Sequence, residues 1–314
     1  MTEIYLVDIG ASGGIHPRWE NTFQQVKAVL FEPDPREYDR LKEAVGDNYI
    51  VLNAALSEAP EKVDFYLCKD QKASSLYPPD LAILRRYYAD MEKFEIVKKI
   101  KVVADTLDNQ LKEAKLFDID FIKVDVQGHE LPILRGGIDT LQRVIGIEVE
   151  VEFLPVYQGQ PVFSEVDCFL RDSGFELFDI KRTFRNRRDK KNYGNRKGQL
   201  LWGDALYFKS PESVLSISNI SAEKVMRAIS IYMVYGYPDV ADTMYHMAKE
   251  RSLIRAETGG KIEALLAQYE VEKMNVLPQF RGARKLSGIF TKLAQTFTHT
   301  RRTDKQQDEY LGNP

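Results

Sequence analysis

Two hydrophobic segments of this chain end at an aspartate and lead into a glycine-containing turn. The first is Ile4–Ile9, which carries Asp8, and the second is Phe121–Val126, which carries Asp125. Continuous apolar runs of this length are typical of strands buried in a parallel sheet. The carboxyl ends of such strands meet at one edge, where open α/β sheets bind small molecules. An acidic edge without a phosphate cradle indicates a cationic ligand.

Strand and helix patterns alternate from this first segment to about residue 210. Strands are predicted at Ile4–Ile9, Ala28–Phe31, Tyr49–Leu52, Val63–Leu67, Ile100–Val103, Phe121–Val126, Val144–Phe153, Phe175–Ile180 and Leu200–Phe208. Helices are predicted between them, among others at Arg36–Ala44, Asp80–Met91 and Glu165–Ser173. This alternation predicts a doubly wound α/β domain over residues 1–210. Four further helical patterns predict an α-helical C-terminal extension over 211–300, followed by a polar, disordered tail over 301–314.

Composition excludes several classes of protein. The net charge of -3 gives no general affinity for nucleic acid, and two cysteines 100 residues apart make no disulfide framework. The four histidines are scattered, so zinc spacing is absent from the sequence. No apolar run approaches the roughly 20 residues that span a bilayer. With a strand predicted so close to Met1, we expect no signal peptide and a cytoplasmic protein.

The turn after the first strand differs from a dinucleotide-binding loop. In the pattern G-x-G-x-x-G, Ser12 takes the place of the second glycine, and Asp8 would add negative charge near a pyrophosphate. S-adenosylmethionine carries a sulfonium and an ammonium group and no phosphate, so an acidic strand end suits it. The alternative is an ordinary strand and turn of an α/β protein.

The end of the second strand carries another acid. Glu32 lies 22 positions after Gly10, near the offset of about 20 at which dinucleotide folds place a ribose-binding carboxylate. The same acid would also favour the start of the helix that follows. After the third strand, the small residues of Asn53-Ala54-Ala55 would admit a flat adenine ring.

These motifs, in this order, resemble the FkbM-type methyltransferases. The series continues with Ser74-Ser75-Leu76, Asp105–Asp108, Ile119–Gly137, Ile147–Phe153, Leu154–Phe163 and Gly174-Phe175, and the resemblance covers roughly residues 3–208. It implies a class I, S-adenosylmethionine-dependent fold with a seven-stranded, mostly parallel sheet. It also implies methyl transfer to oxygen, commonly a hydroxyl of a sugar or a polyketide-like product.

The motifs and the resemblance together predict the cofactor contacts. They are Asp8, Gly10, Ala11, Ser12, Gly14, Glu32, Pro33, Asn53, Ala54 and Asp105. The sequence departs from the family at Ile15–Trp19, where a helix of small residues is usual. It departs again at Gln127, where many members carry Glu.

Catalytic candidates cluster at the turn after Asp125. His129 titrates near neutral pH and is the first candidate for the base that takes the acceptor's proton, with Asp125 and Glu130 beside it. The alternative is that His129 is an exposed turn residue and that Glu130 favours a helix start.

Glu148, Glu150 and Glu152 alternate along one strand and therefore share a face. Glu150 and Glu152 would bind substrate hydroxyls, or a divalent metal together with Asp125, although the metal is not favoured. Salt bridges to a neighbouring basic loop are the alternative.

That loop, 181–198, holds nine basic residues and one acid. It follows a strand that ends at the ligand edge, so it would overhang the acceptor and bind phosphate or carboxylate groups. Arg185, Arg187, Arg188 and Tyr157 are the predicted substrate contacts, and an anionic sugar or glycan is the predicted acceptor. A solvated loop and a nucleic-acid contact are the alternatives.

The segment 281–302 carries six basic residues, no acid and an apolar stripe at helical spacing. It would lie on an anionic membrane surface, or pack on its own protein or in a homo-oligomer. The sequence as a whole predicts an O-methyltransferase. The alternatives are an inactive methyltransferase-like scaffold and, third, a nucleic-acid methyltransferase.

Overall fold

The computed structural model describes residues 3–11, 14–22, 24–44, 46, 48–188, 197–254, 259–267, 305–308 and 311. The strands are β1 (Glu3–Ile9), β2 (Gln25–Phe31), β3 (Tyr49–Leu52), β4 (Ala55–Leu56), β5 (Glu61–Cys68), β6 (Ile96–Asp105), β7 (Phe121–Val124), β8 (Gly146–Glu152), β9 (Glu176–Arg185), β10 (Gln199–Phe208) and β11 (Lys305–Gln307). The helices are α1 (Pro35–Ala44), α2 (Leu81–Leu84), α3 (Leu107–Glu113), α4 (Glu130–Arg135), α5 (Ile138–Leu141), α6 (Phe163–Asp172), α7 (Pro211–Leu215), α8 (Ala222–Val234) and α9 (Pro238–Glu250), and residues 259–267 are also helical.

The main sheet has the strand order β11-β9-β10-β8-β7-β1-β2-β3. Strands β3, β2, β1, β7 and β8 are parallel, whereas β10 runs antiparallel to both β8 and β9. Strand β9 therefore points the same way as β8, and the residues after it lie at the carboxyl edge. Without β11, this is the seven-stranded, mostly parallel, doubly wound sheet of a class I methyltransferase, and the predicted fold is confirmed.

A second sheet, in the order β4-β6-β5, was not expected from the sequence. Its two long strands, β5 and β6, contain the runs predicted at Val63–Leu67 and Ile100–Val103, but they pair with each other rather than with the main sheet. The segment that follows β5 packs over the carboxyl edge, because Ser75 Oγ donates to the carbonyl of Gln127 over 2.7 Å. This small sheet therefore forms one side of the space above the main sheet.

The helix predicted at Asp80–Met91 is much shorter than expected. Only Leu81–Leu84 is helical, and Asp80 caps it by accepting from the amides of Ala82 and Ile83. Beyond it, Tyr87 and Tyr88 turn inward and are buried in an apolar cluster with Phe94. The chain thus leaves the helix after one turn and then buries these two aromatic rings.

Helices α7–α9, at the start of the predicted extension, share one hydrophobic core with β1, β7 and β10. Buried charges also join them to the sheet. Lys224 Nζ lies 2.8 Å from Asp120 Oδ1 with both side chains fully buried, and Arg227 Nε lies 2.8 Å from the same oxygen. Here the extension is thus packed into the α/β domain rather than set apart from it.

The C-terminal residues require a correction. The sequence predicts a disordered tail, but Lys305–Gln307 form β11 and pair antiparallel with Thr183–Arg185 of β9. Asp308 Oδ2 accepts from the backbone amide and Nε of Arg182, at 3.0 and 2.7 Å. Composition alone does not reveal this pairing, because the hydrogen bonds are made to the backbone of a strand that is distant in the sequence. The basic segment 281–302 lies outside the described residues, and none of the described helices is long and apolar enough to cross a bilayer.

Candidate active site

Strands β1 and β7 approach each other closely at their carboxyl ends. Gly10 has a φ of +80°, and a Cβ atom there would lie 2.0 Å from the carbonyl oxygen of Asp125. Its amide donates to Phe31, and the amide of Asp125 donates to Ile9, both over 3.0 Å. Only glycine fits this position, and the contact places Asp125 directly beside the first turn.

A cavity of about 210 Å³ opens at this junction. Of the predicted cofactor contacts, Gly10, Glu32, Pro33 and Ala54 line it. Glu32 is 6% exposed, and its Oε1 accepts from the amide of Asp34 over 2.9 Å. Burial raises the pKa of Glu32 to about 7. The Glu32 carboxyl group thus lies in the cavity wall, where two ligand hydroxyl groups would replace the hydrogen bonds to water that burial removes.

Apolar side chains form part of the lining of this first cavity. Leu56, Val126 and Ile133 line it together with His129, which is only 7% exposed. His129 Nε2 lies 3.2 Å from Ser57 Oγ, and the His129 and Tyr77 rings are 5.1 Å apart. Burial lowers the pKa of His129 to about 4, so the imidazole is neutral at ordinary pH. Apolar side chains beside a neutral imidazole fit a purine.

A second cavity, of about 240 Å³, adjoins the first, and Lys72 and Gln127 line both. The acids Glu150 and Glu152 lie in its wall. Its wall also contains aromatic and basic side chains, among them Tyr88, Lys93, Tyr157, Arg185 and Trp202. The structure therefore brings the predicted substrate contacts Arg185 and Tyr157 together with the predicted acids.

The three carboxylates of β8 lie along one face of the sheet, each beside a residue of a neighbouring strand. Glu148 lies opposite Lys123 of β7, Glu150 opposite Asp204 of β10, and Glu152 opposite Trp202. This arrangement agrees with the alternation seen in the sequence. Burial, and then neighbouring carboxylates such as Asp125 and Glu130, raise the pKa values of Glu150 and Glu152 well above the usual range.

The three acids of β8 have different surroundings. Glu148 Oε2 accepts from the Tyr235 hydroxyl over 2.7 Å and lies 3.6 Å from Arg18, so this acid contacts the residue that follows α8 and the segment between β1 and β2. Glu148 does not line either cavity. Only Glu150 and Glu152, of the three, face the second cavity.

Gln127 joins the two cavities. Its Nε2 donates to Asp125 Oδ1 over 3.0 Å and to Glu150 Oε2 over 2.7 Å, while its Oε1 accepts from the Tyr157 hydroxyl over 3.1 Å. Gln127 has a φ of 63° and Gly128 a φ of 105°, so the turn is left-handed and directs the amide inward. The residue that departs from the family pattern is thus at the centre of the site.

Glu130 stabilises this turn by accepting hydrogen bonds from its backbone. Its Oε1 accepts from the amides of Val126 and Gly128, at 3.0 and 3.1 Å, and the side chain is 2% exposed. Glu130 lines neither cavity. Its placement fits a positioning role better than a contact with the reacting groups.

Several predicted cofactor residues lie elsewhere. Asp8 is buried 3.5 Å from Lys123 Nζ, and Asp105 accepts from the Thr106 amide at the start of α3. Asn53 Nδ2 donates to the carbonyl of Glu32, which supports the acid without lining the cavity. Ala11 and Gly14 also lie outside the lining, and Ser12 is not among the described residues.

The outer arginines stand apart from the cavities. The guanidinium of Arg187 lies 4.8 Å from the Tyr87 ring centre, and the amide of Arg188 donates to Arg86. Sequence reasoning missed Lys72, Tyr88, Lys93 and Trp202, which come from four separate segments. In the described part of the chain, no group of three or more His, Cys, Asp or Glu side chains has a metal-binding arrangement.

Comparison with known proteins identifies the class of this site. The Methyltransferase FkbM domain model matches residues 8–177, which is more than half of the chain. The chain belongs to the FkbM methyltransferase family. This confirms the family expected from the motifs and, with it, the S-adenosylmethionine-dependent methyltransferase class.

Three relatives of this FkbM protein are named methyltransferases. The 2-O-methyltransferase NoeI of Sinorhizobium fredii is 32% identical over 165 residues, covering 49% of this chain and 66% of NoeI. The methyltransferase sdnD of Sordaria araneosa is 26% identical over 55% of this chain and 74% of sdnD. The hexuronic acid methyltransferase AglP of Haloferax volcanii is 28% identical over 46% of this chain and 55% of AglP. The matches thus span about half to three quarters of these relatives.

Proposed function

We propose that this protein transfers a methyl group from S-adenosylmethionine to a hydroxyl of an anionic sugar or glycan. The observation that carries the proposal is the pair of adjoining cavities, which meet at Gln127 and Lys72. One cavity has the features of a nucleoside site, and the other combines aromatic rings, cations and buried acids. Two substrates bound side by side, one in each cavity, would meet where the two cavities adjoin.

The first cavity fits the donor. S-adenosylmethionine supplies an electrophilic methyl group when bound. Glu32 would accept from the ribose hydroxyls, since burial has removed the water that would otherwise solvate its carboxylate. Gly10 would let the backbone approach, and Ala54 and Leu56 would contact the adenine ring. The residues present therefore fit the cofactor.

The second cavity fits a sugar with a negative charge. Tyr88 and Trp202 offer ring faces, and the Arg185 guanidinium lies 4.1 and 5.4 Å from their ring centres. Lys93 Nζ lies 3.9 Å from the Tyr88 ring centre. Arginine in this setting binds carboxylate or phosphate groups. The names of NoeI and AglP, a 2-O-methyltransferase and a hexuronic acid methyltransferase, support the same class of acceptor.

Glu150 is the proposed proton acceptor. It lines the second cavity and shares the Gln127 amide with Asp125, so it lies at the boundary where the acceptor hydroxyl would meet the methyl group. A carboxylate whose pKa is raised by burial is a stronger base than an exposed one. His129 lines the first cavity instead.

A donor-binding and methyl-transfer assay tests the proposal. Calorimetry would measure S-adenosylhomocysteine binding, and methyl transfer from a radiolabelled donor would be followed across neutral, uronic and phosphorylated sugars. We expect donor binding and transfer to the anionic sugars. Absence of binding would indicate an inactive scaffold, and transfer to RNA alone would indicate a nucleic-acid enzyme.

A further inference from the structure

A chain of two hydrogen bonds fixes the tautomer of His129. Ser57 Oγ donates its single hydrogen to Glu61 Oε1 over 2.8 Å, because the exposed Glu61 carboxylate can only accept. Ser57 Oγ must therefore accept from His129 Nε2, 3.2 Å away. In a neutral imidazole whose proton is on Nε2, Nδ1 carries a lone pair. His129 thus presents an acceptor at Nδ1.

This acceptor is buried, and the residue that carries it lines the donor's cavity. Within the described part of the chain, Nδ1 of His129 has no hydrogen-bond partner, and the residue lines the first cavity. Leaving a buried acceptor without a donor is unfavourable, so a ligand that brings a donor is favoured there. Glu32 lines the same cavity, together with the apolar residues Leu56 and Ile133. A suitable partner is therefore a hydrogen-bond donor on a ligand group that also tolerates apolar contacts.

We infer that His129 Nδ1 accepts a hydrogen bond from the exocyclic amino group of the donor's adenine and so selects adenine over hypoxanthine. This rests on the proposed function, in that S-adenosylmethionine occupies the first cavity. The amino group is the one strong hydrogen-bond donor of the adenine base. Hypoxanthine carries an oxygen at that position, which would face the Nδ1 lone pair. His129 then recognises the cofactor and does not take the acceptor's proton.

Calorimetry with two thioethers tests the inference without any turnover. The full-length protein should bind S-adenosylhomocysteine at least about tenfold more tightly than S-inosylhomocysteine. This ratio of affinities is the one expected from the loss of one hydrogen bond. His129→Leu should bind the adenine compound about tenfold more weakly and lose the preference. His129→Asn, which keeps an acceptor oxygen near the Nδ1 position, should retain part of it.

Ser57→Ala supplies a second variant that leaves the imidazole in place. Without Ser57 Oγ the imidazole ring can adopt either tautomer. The ratio of the dissociation constants of the inosine and adenosine compounds should therefore decrease, although His129 itself is unchanged. A purely structural role of His129 would not produce this result. Circular dichroism would establish that each variant is folded.

The outcomes separate this inference from the proposed function. If the wild-type protein binds neither thioether, the proposed function fails and the inference fails with it. If it binds both equally, or if His129→Leu keeps the full preference for adenine, the inference alone is overturned. Loss of methyl transfer in His129→Leu with unchanged S-adenosylhomocysteine affinity would also overturn it, in favour of a base.

Discussion

The side-chain amide of Gln127 donates to Glu150 Oε2 over 2.7 Å, and the same nitrogen donates to Asp125 over 3.0 Å. A neutral donor therefore lies between two carboxylates that would otherwise repel each other across the boundary of the two cavities. The sequence alone suggested that a family carboxylate had been lost at this position. In the structure, the amide allows Asp125 and Glu150 to be close together.

Replacing this amide by an acid should destabilise the protein. Gln127→Glu removes both donors and adds a third carboxylate, so we expect the free energy of unfolding to fall by about 1–3 kcal/mol at pH 8. The loss should be smaller at pH 5.5, where a bound proton restores one donor. Urea denaturation at both pH values measures this, with the exposed Gln158→Glu as the control. An equal loss at both pH values would contradict the explanation.

Glu32→Gln should stabilise the ligand-free protein while weakening its binding of the donor. The pKa of Glu32 is raised from 4.5 to about 7 in the fold, so its contribution to stability falls as pH rises through that window. Removing the ionisable group should therefore raise unfolding stability by about 2 kcal/mol at pH 8 and little at pH 4.5. Thermal denaturation and S-adenosylhomocysteine calorimetry measure the two effects, with exposed Glu43→Gln as the control.

Glu150→Gln should slow methyl transfer far more than it changes donor binding. Loss of a positioned base lowers kcat by about 10²–10⁴. Because the base must be ionised, wild-type kcat/KM should fall as pH drops through the raised pKa of Glu150, and the variant should lose this dependence. Glu148→Gln, on the same face of β8 but outside both cavities, is the matched control. Similar losses in both variants would point to general damage to the strand.

Arg185→Met should raise KM for an anionic acceptor about tenfold, as expected for one charge-assisted hydrogen bond. KM for the donor and for a neutral acceptor should stay close to wild type, because Arg185 lines only the second cavity. Arg187→Met is the control, since its guanidinium lies over Tyr87 outside that lining. Equal effects of the two substitutions would contradict the placement of the anionic group.

Lys224→Met should show that α8 is part of the same folded unit as the sheet. Lys224 and Asp120 are both fully buried and 2.8 Å apart, and removing one partner of such a pair costs about 3–5 kcal/mol. Urea denaturation should show one cooperative transition at a lower midpoint. The exposed Lys112→Met should change stability by less than about 0.5 kcal/mol. A normal sheet transition with separate loss of helix would indicate independent units.

The sequence predicted best what depends on neighbours along the chain. Asp8 lies near the end of β1, and Gly10 and Glu32 follow β1 and β2, so strand ends and their shared edge could be inferred from hydrophobic runs alone. The pairing of β5 with β6 and of β11 with β9 depends on long-range contacts that no local pattern records.

The direction of side chains was the second feature that the sequence could not predict. His129 was expected beside the acceptor because it is close to Asp125 in sequence, yet the positive φ angles of Gln127 and Gly128 turn it toward the first cavity. Trp202 and Tyr88 come from distant segments and meet only through the fold. Their role could not be read from spacing.

Lys72 and Gln127 form part of the wall of both cavities. A ligand that moves either side chain in one cavity must change the shape and charge of the other. Thermodynamic linkage then requires that donor and acceptor alter each other's dissociation constants by the same factor. Cooperativity between the two substrates, of either sign, is thus a property of one shared wall and can be measured from either side.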